Sequence, residues 1–150
     1  INHVEFEVYL MSTFADFTIT KADDTTNVTY QAIKAVGDTR WWREVGPSNE
    51  ESCTVLQLIN LPTKRGSKEL RKRFTVFLPV MEVVTGNNSS GYSAAPKIAF
   101  PIRYNVDGLT TTRATTAQNS EARNLVRKCF IASTASGQFT DAFDKNAMPN

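Results

Sequence analysis

The chain is short of the residues that most often carry catalysis or cross-linking: one histidine, two cysteines and seven glycines in 150 residues. His3 stands alone near the first residue, and no Ser–His–Asp arrangement can be built around it. Cys53 and Cys129 are 76 residues apart, which fits no zinc or redox spacing and points to buried free thiols. No His, Cys and carboxylate cluster has metal-ligand spacing. No glycine-rich phosphate loop follows a strand. The strongest apolar run, Phe74 to Val84, is interrupted by Thr75 and Glu82 and falls well short of the ~20 residues a membrane helix needs. No basic segment followed by an apolar one opens the chain, so no secretory signal is expected. The sequons at Asn27 and Asn88 therefore carry little weight. Asp23-Asp24 and Glu50-Glu51 sit in turn-like segments and read as solvated charge. Together these absences predict a protein that is not an enzyme and holds no metal or cofactor.

What is present is ordinary for a globular protein: 41% hydrophobic and 21% charged residues, with a length that suits one domain spanning 1–150. The net charge of +2 conceals an asymmetry. Residues 1–51 hold 4 Lys/Arg against 9 Asp/Glu, and residues 52–150 hold 13 against 6. The basic part suits a polyanion, or the acidic part of another copy.

The first two-thirds reads as strands, about 3–113. His3 to Leu10 alternates polar and apolar residues, the period of a half-buried strand. Asp16 to Thr20 alternates again, and Val28 to Ala35 can form a third strand. Gly37-Asp38 and Gly46-Pro47-Ser48-Asn49 are turn signals on either side of Trp41-Trp42. Ser52 to Leu61 and Leu70 to Val84 are apolar and β-branched and are joined by a short basic loop, which predicts an antiparallel hairpin. Thr85 to Gly91 is a polar loop. Ala95 to Val106 is a further strand that Thr110 to Thr112 extends. The end of the chain changes period. Ala122, Leu125, Val126, Cys129 and Phe130 share one helical face, with Asn119 as N-cap and Gly137 as the stop. Gln138 to Met148 suits a second short helix, so helices span about 119–148. Strands followed by helices predict the α+β class. One short helix pair covers only part of one sheet face, and open sheet edges must be paired or blunted, so self-association is expected.

The basic segment from Lys64 to Arg73 holds six Lys/Arg and one Glu. A solvated hairpin loop explains Lys64, Arg65 and Lys68. Strand alternation goes further: it puts Phe74, Val76 and Leu78 on one face and Arg71, Arg73 and Thr75 on the other. Arginine's planar fork matches phosphate. In Phe100 to Asp107 the same alternation groups Phe100, Ile102, Tyr104 and Val106 against Arg103, Asn105 and Asp107. Asn and Arg can read base edges, and Arg can also stack under a base. Tyr104 is either a core tyrosine or, if the register slips, a stacking residue.

The order and spacing of these segments resemble the coat proteins of single-stranded RNA bacteriophages, the levivirus-like group. Ser52-Cys53-Thr54-Val55, the basic loop and Arg71-Lys72-Arg73-Phe74-Thr75-Val76 look like that family's central hairpin. Ala99 to Asp107 looks like its long following strand, Asn119 to Arg127 like the opening of its first helix, and Asp141-Ala142-Phe143-Asp144 with Pro149 like its C-terminal segment. The N-terminal 50 residues match in layout, and Trp41-Trp42 has no clear counterpart.

The resemblance implies an N-terminal β-hairpin, a five-stranded antiparallel sheet and two C-terminal helices, interlocked with a second copy so that the two sheets run on continuously. Dimers would assemble in the bacterial cytoplasm into an icosahedral shell around genomic RNA, giving a virion protein. The inward sheet face would bind an RNA stem-loop, marking the genome for packaging and repressing replicase translation. Carried over by position, that face holds Arg71, Arg73 and Thr75, then Arg103 and Asn105 beside Asp107. The family usually has a stacking aromatic where this chain has Arg103, with Tyr104 adjacent. Leu56 and Leu58 stand where the family favours small polar residues facing RNA. Either the register differs by one, which turns Gln57 inward, or hairpin specificity is weaker. The loop 86–91 would surround the symmetry axes. The competing reading is a cellular RNA-binding or translational-repressor domain that forms no shell.

Overall fold

A computed structural model describes residues 13–20, 25–83, 96–130 and 142–145. The strand expected over 3–10, the loop 86–91 and the stop at Gly137 lie outside them. So does most of the second helix, of which Ala142–Asp144 are described and helical. The chain divides into two compact units, 1–62 with 71–108, and 63–70 with 109–150.

Six strands form one antiparallel sheet in chain order: β1 (Phe17–Thr20), β2 (Asn27–Val36), β3 (Thr39–Glu44), β4 (Val55–Leu61), β5 (Glu69–Met81) and β6 (Ile98–Thr111). β1 pairs with β2, so the strand expected at 16–20 is part of the main sheet. β2 turns into β3 through the two-residue loop Gly37-Asp38, between the paired Val36 and Thr39. Gly37 has φ +51°, which side chains disfavour and short hairpin loops require. The tryptophan segment, expected only to lie between turns, is β3 itself. Between β3 and β4 the chain makes a 3-10 turn, Glu50–Ser52, capped by the Asn49 side chain, which accepts from the Glu51 N–H.

A register shift between Ala32 and Lys34 sets the faces of β2 and β3. Ala32 pairs with Trp42 and Lys34 with Trp41, and the bulge leaves Ile33 between them unpaired. The adjacent tryptophans therefore point to opposite sides. Trp42 joins the apolar side, where Val28, Tyr30 and Leu56 are buried and Phe17, Phe74 and Val76 pack against them. Its indole N–H donates to the Ala15 carbonyl at 3.0 Å, and Phe14 meets it edge-on at 5.1 Å. Where β1 ends, the Asp16 carboxylate accepts from the Ala32 N–H at 2.8 Å, continuing the ladder with a side chain. Leu56 is 4% exposed at the centre of this cluster. Leu56→Ala is expected to destabilise the fold by about 2–5 kcal/mol, read from a urea titration.

β6 is the far edge of the sheet. Its apolar row, Ile98, Phe100, Ile102, Tyr104 and Val106, is exposed in the single chain, an edge that needs cover. In the second unit, α1 spans Thr116–Cys129. It begins four residues before the expected cap at Asn119. Thr115 caps it instead: its hydroxyl accepts from the Gln118 N–H and the Gln118 side chain accepts from the Thr115 N–H, a reciprocal capping box. Asn119 is engaged elsewhere, accepting from the Thr110 hydroxyl at 2.7 Å. The helix ends at Cys129, well before Gly137, with Arg127 and Lys128 favourably placed in its last turn. Leu125 is 58% exposed, Val126 49% and Phe130 46%. The apolar face expected to be buried is thus open in one copy. Cys53 is a buried free thiol as expected, and Cys129 is free and half-buried.

Candidate nucleic-acid interface

The opposite side of the sheet, in the first unit, is polar, and its composition follows from the register. β4 pairs with β5 so that Gln57 faces Thr75, Ile59 faces Arg73 and Leu61 faces Arg71. β3 pairs with β4 so that Trp41 faces Gln57 and Arg43 faces Val55. Leu56 is in the core, so the question of register is resolved with Gln57 on the arginine side. Two side-chain bridges bring β6 onto the same face. The Thr75 hydroxyl donates to the Asn105 carbonyl oxygen at 2.8 Å, and Asp107 binds both Arg71 and Arg73.

Sequence reasoning grouped Arg71, Arg73, Thr75, Arg103 and Asn105 correctly, but assigned two of them too simple a role. Thr75 is fully buried and its hydroxyl is spent on Asn105, so it presents nothing to a ligand. Its effect is to fix the Asn105 amide, leaving the nitrogen as the donating end. The two arginines are not free either. Arg73 donates from Nε to one Asp107 oxygen at 2.5 Å and from Nη2 to the other at 2.8 Å, while Arg71 adds a third bond at 3.0 Å. The Arg73 hydrogen bonds, with those of Arg71, hold the Asp107 carboxyl well below the usual carboxylate range, and Asp107 in turn pushes Arg73 further up. Because folding lowers its pKa, the contribution of Asp107 is present above the ordinary value of about 3.9 and is lost only as pH falls below it. The cluster is intact at neutral pH.

An aromatic group completes the face. The rings of Trp41 and Phe77 stack at 6.5 Å and 17°. The Arg103 guanidinium lies 5.0 Å from the Phe77 centroid, a cation–π contact. Lys34, paired with Trp41, and Arg43, paired to Glu50 at 3.1 Å, add cations beside it. Sequence analysis missed Trp41 and Phe77. The signal was the alternation in Trp41-Trp42 and Phe74 to Phe77, but only the bulge at Ile33 and the β3–β4 register assign the faces. Tyr104 alternates with Arg103 and Asn105 and falls on the other side of β6, without the register slip that would bring it to the cluster. Lys64, Arg65 and Lys68 are exposed in the β4–β5 loop, which belongs to the second unit and is turned by Gly66 at φ +80°.

Guanidiniums, a fixed amide and stacked rings held on strands are suited to binding phosphate and bases rather than to bond chemistry. Among the described residues no group of three or more His, Cys, Asp or Glu is arranged to hold a metal. No described helix is long and apolar enough to cross a membrane.

No protein-family model matches the chain, and no curated protein matches it. Solved structures do. A virus-like particle of bacteriophage ESE058 matches with a TM-score of 0.74 and 17% identity, covering 93% of this chain and 100% of the other. The protein capsid of bacteriophage GA matches with a TM-score of 0.64 and 15% identity over 91% of this chain and 97% of that one. An unassembled bacteriophage coat-protein dimer, described as an RNA-binding dimer, matches with a TM-score of 0.57 and 11% identity over 93% and 99%. At these identities the shared property is the architecture, and it extends over nearly the whole chain: the protein has the coat-protein fold of the levi-like single-stranded RNA bacteriophages.

Proposed function

We propose that the protein is a capsid protein that dimerises, assembles into an icosahedral shell and binds genomic RNA stem-loops on the polar face of its sheet. The observation that carries this reading is the division of one sheet into two unlike faces. One is a packed apolar core. The other places Arg71, Arg73 and Arg103, the Asn105 amide and the Trp41–Phe77 stack on rigid strands. The open apolar row of β6 and the open face of α1 support pairing with a second copy, which would cover both. Assembly in the bacterial cytoplasm, residence in the virion, genome packaging and repression of replicase translation belong to the same proposal. So does one functional domain spanning 1–150. Its role is structural, with no catalytic group.

Titration of the unassembled protein with RNA tests the face. Trp41→Ala is expected to weaken single-stranded RNA binding by about 1–3 kcal/mol if one base stacks there. Asn105→Ala is expected to cost about 1–3 kcal/mol for a hairpin whose base it contacts and little for random RNA. Unchanged binding in both variants counts against this face as the RNA surface.

A further inference from the structure

Asp107 occupies an unusual place on a face read as an RNA surface. Both of its oxygens are directed at arginines: Arg73 binds them through Nε and Nη2, and Arg71 binds one through Nη2. The Arg73 contact is the side-on fork in which guanidinium binds a carboxylate or a phosphate equally well. A phosphate approaching Arg73 in that geometry finds the donors taken. The three side chains together carry one net positive charge rather than two. All three are at least one-third exposed, and ion pairs at such positions contribute little to stability. The cluster is therefore poorly explained as a structural staple. A carboxylate on β6 held against two arginines of β5 instead changes what the face attracts. Arg103 and Asn105 lie on the same side of the same strand, and neither is bonded to Asp107.

We propose that Asp107 is an intramolecular competitor that makes the RNA face selective. It fills the arginine donors, so sequence-independent phosphate binding is weak and the contacts at Asn105 and Trp41 carry more of the affinity. Specificity of this kind comes from weakening the wrong complexes rather than strengthening the right one. This inference rests on the RNA reading above.

The test uses unassembled protein and a single-stranded oligo(U) 20-mer, titrated at several salt concentrations. Asp107→Asn keeps the shape and removes the charge, and Asp107→Ala removes the acceptors as well. Both are expected to bind oligo(U) roughly three- to tenfold more tightly than wild type near 0.1 M salt, with log K against log salt steeper by about 0.7 for each phosphate gained. Adding Arg71→Ala and Arg73→Ala to either variant should abolish the gain. If both variants bind as wild type does, or more weakly, Asp107 only positions the arginines and the proposal is overturned. If neither wild type nor variants bind RNA, the RNA reading falls and this inference with it. Those two failures are distinguished by the wild-type titration.

Discussion

Arg71→Ala/Arg73→Ala is expected to weaken RNA binding by about ten- to a hundredfold at low salt and to flatten its salt dependence. Each lost phosphate contact on a single strand removes about 0.7 from the slope of log K against log salt. The loss should exceed that of two solvated lysines because of what remains. With both guanidiniums gone, Asp107 stands as an unpaired carboxylate on the binding face, and the cluster changes from one positive charge to one negative. Lys72 is the internal control. It lies between the two arginines on β5 but pairs with Asn60, on the apolar side of the sheet, so Lys72→Ala should leave the slope nearly unchanged. The fold should survive the double change, because both positions lie opposite the cluster of Val28, Tyr30 and Leu56. Equal slopes for wild type and the double variant would locate the RNA surface elsewhere, with Lys64, Arg65 and Lys68 next to be tested.

The second large effect is expected from Leu125→Asp. Leu125, Val126 and Phe130 form an apolar face that is about half exposed in a single copy. If a second copy covers it, within an interface of the roughly 2,000 Å² or more common for obligate pairs, aspartate places an unpaired charge inside a contact made twice by symmetry. An uncompensated buried charge costs about 3–5 kcal/mol, enough to remove most of a domain's margin when the fold and the dimer form together. The expected result is loss of soluble protein. A folded, stable monomer carrying Leu125→Asp, seen by sedimentation, would contradict obligate dimerisation.

Much of the architecture is legible in the sequence because strand alternation is a local signal. Arg71, Arg73, Asn105 and Asp107 share one face, and Phe74, Val76 and Leu56 share the other, as period 2 requires. What the sequence conceals depends on register. Asp107 and Arg73 are 34 residues apart, and no local pattern tells which β6 residue meets which β5 arginine. The burial of Thr75 has the same cause: a threonine alternating with arginines reads as exposed until Asn105 is placed over it. Trp41 and Trp42 are separated onto two faces only once the bulge at Ile33 is known. The helix start was misplaced because Asn119 is a good cap by type, while the reciprocal pair Thr115 and Gln118 is better by geometry.

The central claim is that this sheet belongs to a self-assembling shell that holds RNA. Size-exclusion chromatography of the purified protein, with absorbance at two wavelengths and electron micrographs of the leading peak, tests it most directly. The account predicts closed particles eluting at the void volume with the absorbance ratio of nucleic acid, and release of RNA when they are dissociated. Elution as a small species with the spectrum of protein alone, with no particles in the micrographs, would contradict it.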